Sequence, residues 1–460
     1  MRLAAALVLA GCVDSRSAVH GTYAYRYPDG ATVPIDLTTT SFQAYVLEGA
    51  GFVPYPRDPV LGNADGTFEI ADVPDGPYLL RRSVGGFYGV FMPHDDHVFD
   101  EPWDVLGRPD AALAETEAPL ELDASGLAAW QDDDVLFVDC FGNASEVVDP
   151  ELSPPLARGA TAIHATFDWA RGYSWGASSG AYLMDPDAGD ELVVAHASAR
   201  VDGDLRTWAV TQVLTAPAPT QVADQLSRVT GTFVDVVPAA SLTATVPGDQ
   251  LAATLEPGVT PVDQGIVVVT GPGTSTGELL GPELARASTR TATAPMTATV
   301  AYANPFDPAW RPRITGWYNA SRHLETGRQG PLDIAFTAFG ESVPLADGPF
   351  VFEPLAPVHA ATIDGEAIAG GTHAVAPRHA LRLDFAEPAE ATKGRVIVWR
   401  VDRIYEAAYV VFDRAPVDLP PDIFQDGGRY TFQIDVFADD DRGGQRTAST
   451  YTDAVTIVSQ

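Results

Sequence analysis

The sequence predicts an all-β chain of several β-sandwiches in tandem, with very little helix. Three observations point there. The 460 residues hold 41 glycines and 37 prolines, spread at short intervals, which is turn chemistry repeated along the whole chain. Between these turns lie short runs rich in Val, Thr, Phe, Tyr and Leu, the residues that suit a pleated, half-buried surface. Long stretches with a 3.6-residue apolar period are absent. The best helix candidate is 221–228, after Thr220 as cap, with Val222, Leu226 and Val229 on one face; it would be about two turns long. The length suits about three domains at roughly 150 residues each.

The formal net charge is -34 and the pI near 4.3, and Lys393 is the sole lysine. Such a chain repels phosphate backbones, so nucleic acid is not an expected partner. The acidic residues alternate with apolar runs, so they read as a solvated surface rather than a disordered tail.

Met1 and Arg2 precede an apolar stretch, Leu3 to Ala10, that is far shorter than the about 20 residues needed to span a bilayer. It runs into Leu9-Ala10-Gly11-Cys12, which resembles the lipobox of bacterial lipoproteins. The resemblance implies a signal peptide over 1–11, cleavage before Cys12, a lipid on the Cys12 sulfur and a short tether over 12–17. The membrane would then be a partner through that lipid, and the location would be the bacterial envelope. Val13, where an inner-membrane retention signal would place Asp, favours the outer membrane or cell surface. The alternative is an ordinary apolar start to a strand. The second cysteine, Cys140, lies in the apolar run 135–141 and reads as a small buried hydrophobe; a reactive thiol or an intermolecular disulfide is the lesser reading.

The first domain is placed at 18–93. It opens on the strand-like run 19–27 and closes with Asp65-Gly66-Thr67-Phe68-Glu69-Ile70, then Val73-Pro74-Asp75-Gly76-Pro77-Tyr78. Asp65-Gly66 makes a tight turn, Phe68 and Ile70 share a face, and Pro74 with Gly76 reverses the chain. With Val19 and Gly21, these positions resemble the carboxypeptidase regulatory-like, transthyretin-like sandwich, which implies an accessory module without catalytic residues.

Residues 94–300 form a β-rich region of no recognised family, and 301–354 a β-rich connecting segment. Strands are expected within 120–122, 135–141, 162–169, 192–195, 207–214 and 231–237. Two segments, 131–138 and 187–194, each run from an acidic turn into an apolar strand and suggest a repeated sheet unit. The last domain, 355–460, has the spacing of an immunoglobulin-like sandwich. Leu381, Leu383 and Phe385 alternate, as do Val396 and Val398; Leu419-Pro420-Pro421 precedes Gly428-Arg429-Tyr430 and a further alternating run. This resembles a fibronectin type III domain, in which Tyr430 would be the corner tyrosine, its ring in the core and its hydroxyl on nearby backbone.

Four constellations hold residue types that could carry chemistry. Gly176-Ala177-Ser178-Ser179-Gly180 fits the nucleophile-elbow spacing but lacks the α/β alternation that gives the pattern meaning. His94-Asp95-Asp96-His97 holds four potential ligands, yet on a strand they would split between two faces. The acidic stretches 185–191 and 439–443 open like calcium loops without the glycine and glutamate that complete one, so bridging calcium is the alternative to solvated turns. Trp103, Trp130, Trp175 and Trp310 are candidates for a sugar platform or for packing. No catalytic, cofactor or metal residue is assigned; Cys12 is the sole assigned site. The expected role is a lipid-anchored envelope protein, structural or binding a protein or carbohydrate. The alternative is an exported hydrolase with its site in 94–300, which would require two carboxylates in a cleft.

Overall fold

The computed structural model describes residues 16–459, apart from 28, 50, 85–88, 175–179, 273–281, 307–309, 327–329, 347, 369–370, 376–378, 404 and 441–442. Cys12 with its lipobox, Ser178 and Trp175 lie outside the described residues. Most of the described chain is strand. One short α-helix, Gly248–Thr254, and three single 3-10 turns are its described helical elements.

The first sandwich is built from β1 (Arg16–Arg26), β2 (Thr40–Glu48), β3 (Gly51–Leu61), β4 (Thr67–Pro74), β5 (Tyr78–Val84), β6 (Gly89–His94) and β7 (Val98–Asp104). One sheet runs β4-β1-β7, with β1 antiparallel to β4 and parallel to β7; the other runs β3-β2-β5-β6. Val19, Tyr23, Phe42, Phe68, Ile70, Tyr78 and Leu80 fill the space between them. The turn at Asp65-Gly66 follows from its chemistry. The Asp65 carboxylate accepts from the Thr67 amide and hydroxyl, Gly66 sits at φ +80°, and a Cβ there would strike the Tyr23 carbonyl. The sandwich continues beyond residue 93, because β7 completes its first sheet.

The second sandwich repeats that plan. Its strands are β8 (Pro119–Ser125), β9 (Val135–Cys140), β10 (Ser145–Val148), β11 (Ala162–Asp168), β12 (Glu191–Asp202), β13 (Leu205–Pro217) and β14 (Ser227–Thr232). The sheets run β11-β8-β14, again with the last strand parallel to the first, and β10-β9-β12-β13. The third does so too, with β15 (Ala240–Val246), β16 (Val259–Pro272), β17 (Glu283–Thr289), β18 (Met296–Tyr302), β19 (Trp310–Glu325), β20 (Pro331–Pro344) and β21 (Phe350–Val351). Its sheets run β18-β15-β21 and β17-β16-β19-β20. Residues 301–354 therefore supply strands to the same sandwich as 240–300.

The fourth sandwich is wired differently: β22 (His359–Ile363), β23 (Thr372–Val375), β24 (Leu381–Ala386), β25 (Lys393–Arg400), β26 (Tyr405–Phe412), β27 (Val417–Leu419), β28 (Gly428–Asp440), β29 (Gly444–Tyr451) and β30 (Val455–Ser459). β22-β24-β27 form one sheet; β26-β25-β28 followed by β29 and β30 form the other, with β23 parallel to β30. Tyr430 is fully buried, and the Gln425 amide donates to its hydroxyl at 2.8 Å.

Edge strands join the four sandwiches. β6 pairs with β26, β20 with β29, and β17 with β13, so the larger sheet of every sandwich belongs to one 20-stranded sheet. This seals edges that would otherwise template aggregation. At one end of the ladder, β3, Pro54, Pro56 and Pro59 remove amide donors from the strand.

Two expectations are corrected. Residues 221–228 are not a helix. Val222 and Leu226 are exposed in a turn, while Val229 is buried in β14, where it pairs with Leu122. A two-turn helix is marginal alone, and the strand ladder satisfies the same backbone groups. Segments 131–138 and 187–194 are not copies of a repeating unit. They lead into β9 and β12, neighbours in one sheet, paired from Val135–Ala197 to Cys140–Leu192. The repeating unit is the whole seven-stranded sandwich.

Candidate ligand groove on the third sandwich

The outer face of β17-β16-β19-β20 is set by register. In β19, Ile314, Tyr318 and Ala320 point into the core, so Thr315, Trp317 and Asn319 point away from it. Thr315 lies opposite Val267 on one side and Ser342 on the other; Trp317 lies between Gly265 and Gly340. Arg286 is paired with Val267, and β29 extends the surface with Gln445 opposite Ser342 and Thr447 opposite Gly340. Five adjacent strands give a face roughly 19 Å wide. The groove on it has a volume of about 430 Å³.

Its polar groups are fixed. Trp317 Nε1 and Asn319 Nδ2 both donate to Asp263 Oδ1, at 3.0 and 2.9 Å. Thr337 donates to Asn319 Oδ1 at 2.9 Å, and Thr315 to Ser342 Oγ at 3.1 Å. The Arg286 guanidinium stands 4.6 Å from the centroid of the Trp317 ring. Glycines at 265 and 340 flank the indole; a Cβ at Gly265 would collide with it.

Glu283 lines the groove where the third sandwich meets the second. Burial pushes its carboxyl up to about 7; Arg286 opposes the shift and Glu146 adds to it. Arg286 Nη1 lies 3.6 Å from Glu283 Oε1, longer than a hydrogen bond. Asp139 on β9 and Glu146 on β10 pair directly across their strands, and both are buried. Tyr173 donates to Glu146 Oε2. Burial and the Glu146 carboxylate hold Asp139 well above the usual carboxylate range. These two carboxyls have no solvent access, so they do not form the open pair that a glycoside hydrolase requires.

The sequence candidates fall elsewhere. His94 and His97 each pack on the Tyr78 ring, with centroids 5.8 and 5.7 Å away, and Tyr78 donates to the Asp96 carbonyl. Asp190, in the first acidic loop, is buried and held by Arg108 at 3.1 and 3.2 Å, and Asp185 caps a 3-10 turn. Among the described residues no three His, Cys, Asp or Glu side chains are grouped to hold a metal, and no helix is long and apolar enough to cross a membrane. Cys140 is fully buried, and burial pushes its thiol up. Trp130 tilts against His196, Trp310 packs on Phe141, and Trp103 carries Arg82 at 4.3 Å. Trp317 and Arg286 escaped the sequence reading. The alternation around Trp317 marks it as outward-facing, but only strand register brings Arg286 to it.

No protein-family model matches the chain, and no curated protein does. Among solved structures, the chain is similar to two B repeat units of the collagen binding protein (CNA) of Staphylococcus aureus. Identity is 8% over 96% of this chain and 99% of that one, with a TM-score of 0.14. BcpA, the major pilin subunit of Bacillus cereus, matches at 9% identity over 74% of this chain and 99% of that chain, with a TM-score of 0.17. The Bacillus anthracis TIE protein matches at 8% identity and a TM-score of 0.15, over 73% of this chain. The chain spans about half of that protein, 49% of its length. TM-scores this low carry no argument, and the architecture rests on the hydrogen-bond register above.

Proposed function

We propose that this chain is an exported, lipid-anchored envelope protein that holds a ligand-binding groove away from the membrane on a rigid β-scaffold. One observation carries the binding role: the pre-set polar groove around Trp317 and Arg286, on a sheet shared by the third and fourth sandwiches. A groove whose side chains already hydrogen-bond one another loses little conformational entropy when it receives a ligand. The first sandwich supports the carboxypeptidase regulatory-like reading through its Asp65-Gly66 turn and buried Phe68, Ile70 and Tyr78. Its strand order extends that reading to the second and third sandwiches. The buried, backbone-bonded Tyr430 supports the fibronectin type III-like reading of the fourth.

Tryptophan fluorescence titrated with oligosaccharide and peptide panels tests the groove. A ligand that shifts the emission of the full chain, with the shift abolished in Trp317→Phe, is the expected result; a shift unaffected by that substitution removes the groove from the function. Anchoring is tested separately. Cys12→Ser should release the protein from membranes or leave its signal uncleaved, and unchanged detergent partitioning counts against the lipid.

A further inference from the structure

The groove's chemistry goes further than binding in general. Its described lining holds six neutral hydrogen-bonding side chains, Thr315, Asn319, Thr337, Ser342, Gln445 and Thr447, two carboxyls, Glu283 and Glu341, and a single cation, Arg286. Hydroxyls and amides suit a polyhydroxylated ligand, which exchanges donors and acceptors with them in many orientations. The cation adds a narrower requirement. A guanidinium held against an indole keeps its charge and presents a planar fork to a carboxylate. Glu283 is too distant from Arg286 for a hydrogen bond and, with its carboxyl raised by burial, is a weak counter-ion to the guanidinium; Glu341 is buried and already accepts from the Glu353 amide. The chain as a whole carries -34, so a polyanion would be repelled at long range, while one carboxylate within contact of Arg286 is drawn in at short range, inside a Debye length of about 8 Å.

We infer that the groove takes an oligosaccharide bearing an isolated carboxylate, a sugar acid within an otherwise neutral glycan, with Arg286 holding the carboxylate and Trp317 fixing the guanidinium. The inference rests on the groove being the binding site. Trp317 and Arg286 divide the work: the indole positions, and the guanidinium discriminates.

Calorimetric titration of the full chain tests it with matched probes: a neutral trisaccharide carrying one terminal uronic acid, and the same trisaccharide with that acid as its methyl ester. The acid should bind at least tenfold more tightly than the ester, and the advantage should shrink as salt is raised. Arg286→Gln should remove the advantage, so that acid and ester bind the variant with affinities within about twofold of each other. Equal affinity of the two probes for the wild-type chain overturns the sugar-acid assignment and leaves the groove as a site for neutral glycans. An advantage that survives Arg286→Gln overturns the role of Arg286. Because the first comparison needs no variant, a folding defect in Arg286→Gln does not protect the inference. If neither probe binds and a panel of other glycans is also silent, the groove itself is wrong and the inference falls with it.

Discussion

The second sandwich carries buried acids at the two ends of β9, and they are built on opposite principles. At the entry, Asp134 accepts from the Gln131 and Ala199 amides at 2.9 and 3.1 Å and meets His196 Nε2 at 3.0 Å. Gln212 continues the network, its oxygen on the Ala128 amide and His196 Nδ1, its amide on the Gly126 carbonyl and Asp235. At the exit, Asp139 faces another acid across the ladder, Glu146, and among the described residues no other donor reaches its oxygens. Such a pair is tolerable when one member keeps a proton and donates it to the other. The contrast separates two uses of a buried carboxylate. Asp134 is part of what makes the sandwich stable, whereas Asp139 is held against its own solvation at a junction with the third sandwich.

Breaking the saturated network should cost most. Asp134→Ala leaves His196 and two backbone amides without their acceptor, in a site with almost no exposure. The expected loss is about 3–5 kcal/mol, read as faster hydrogen exchange in β9 and β12. Exchange rates unchanged in those strands would mean that the network is ornamental.

Asp139→Asn should act in the opposite direction. Asparagine keeps the shape and can donate to Glu146 without needing a proton. The raised carboxyl of Asp139 contributes its stability below the ordinary Asp value near 3.8 and loses it as pH rises toward its folded value. The variant should therefore match the wild type near pH 4 and gain about 1–4 kcal/mol at pH 8. A loss at pH 8 would show that Asp139 is satisfied in some other way.

Glu283 gives a milder case in a defined window. Its carboxyl rises from 4.5 to about 7, so the folded chain binds the extra proton and stability falls as pH climbs from about 5 to 7. The expected change is about 2 kcal/mol. Glu283→Gln should remove that slope from the thermal melting of the third sandwich, and an undiminished slope would assign it to another group.

Local pattern was legible in the sequence where side chains alone decide it. Phe68 with Ile70, Leu381 with Leu383, and Val396 with Val398 all face cores, and Tyr430 stands where its alternating strand places it. What the sequence hid is carried by backbone or by distance. The common strand order of the first three sandwiches leaves no shared residue motif, because parallel pairing of first and last strands depends on topology. The junctions β6–β26, β20–β29 and β13–β17 are main-chain ladders, to which many side chains are equally suited. The groove was half visible. Alternation turns Trp317 outward, but Arg286 is separated from it by 31 residues, counted 317 − 286, and meets it across two ladders. Asp139 reads as a polar interruption in an apolar run; its burial comes from packing at the junction.

The smallest expected effect calibrates the others. Tyr430 carries one neutral hydrogen bond, accepted from the Gln425 amide at 2.8 Å, while its ring packs edge-on against Phe424 with centroids 5.1 Å apart. Tyr430→Phe keeps the ring and removes only the acceptor. The Gln425 amide lies in a partly exposed turn, so water can replace the lost oxygen. The expected cost is therefore about 0.5–1.5 kcal/mol, read from the urea midpoint of the fourth sandwich at unchanged slope. That value sets the scale of a satisfied neutral group. If Asp134→Ala costs no more than Tyr430→Phe, charge and network give the second sandwich nothing beyond an ordinary hydrogen bond, and the distinction between its two buried acids collapses. If Tyr430→Phe instead costs as much as Asp134→Ala, the corner hydroxyl is shielded from water, and the loop from Pro420 to Gly427 closes over it more tightly than its exposure indicates.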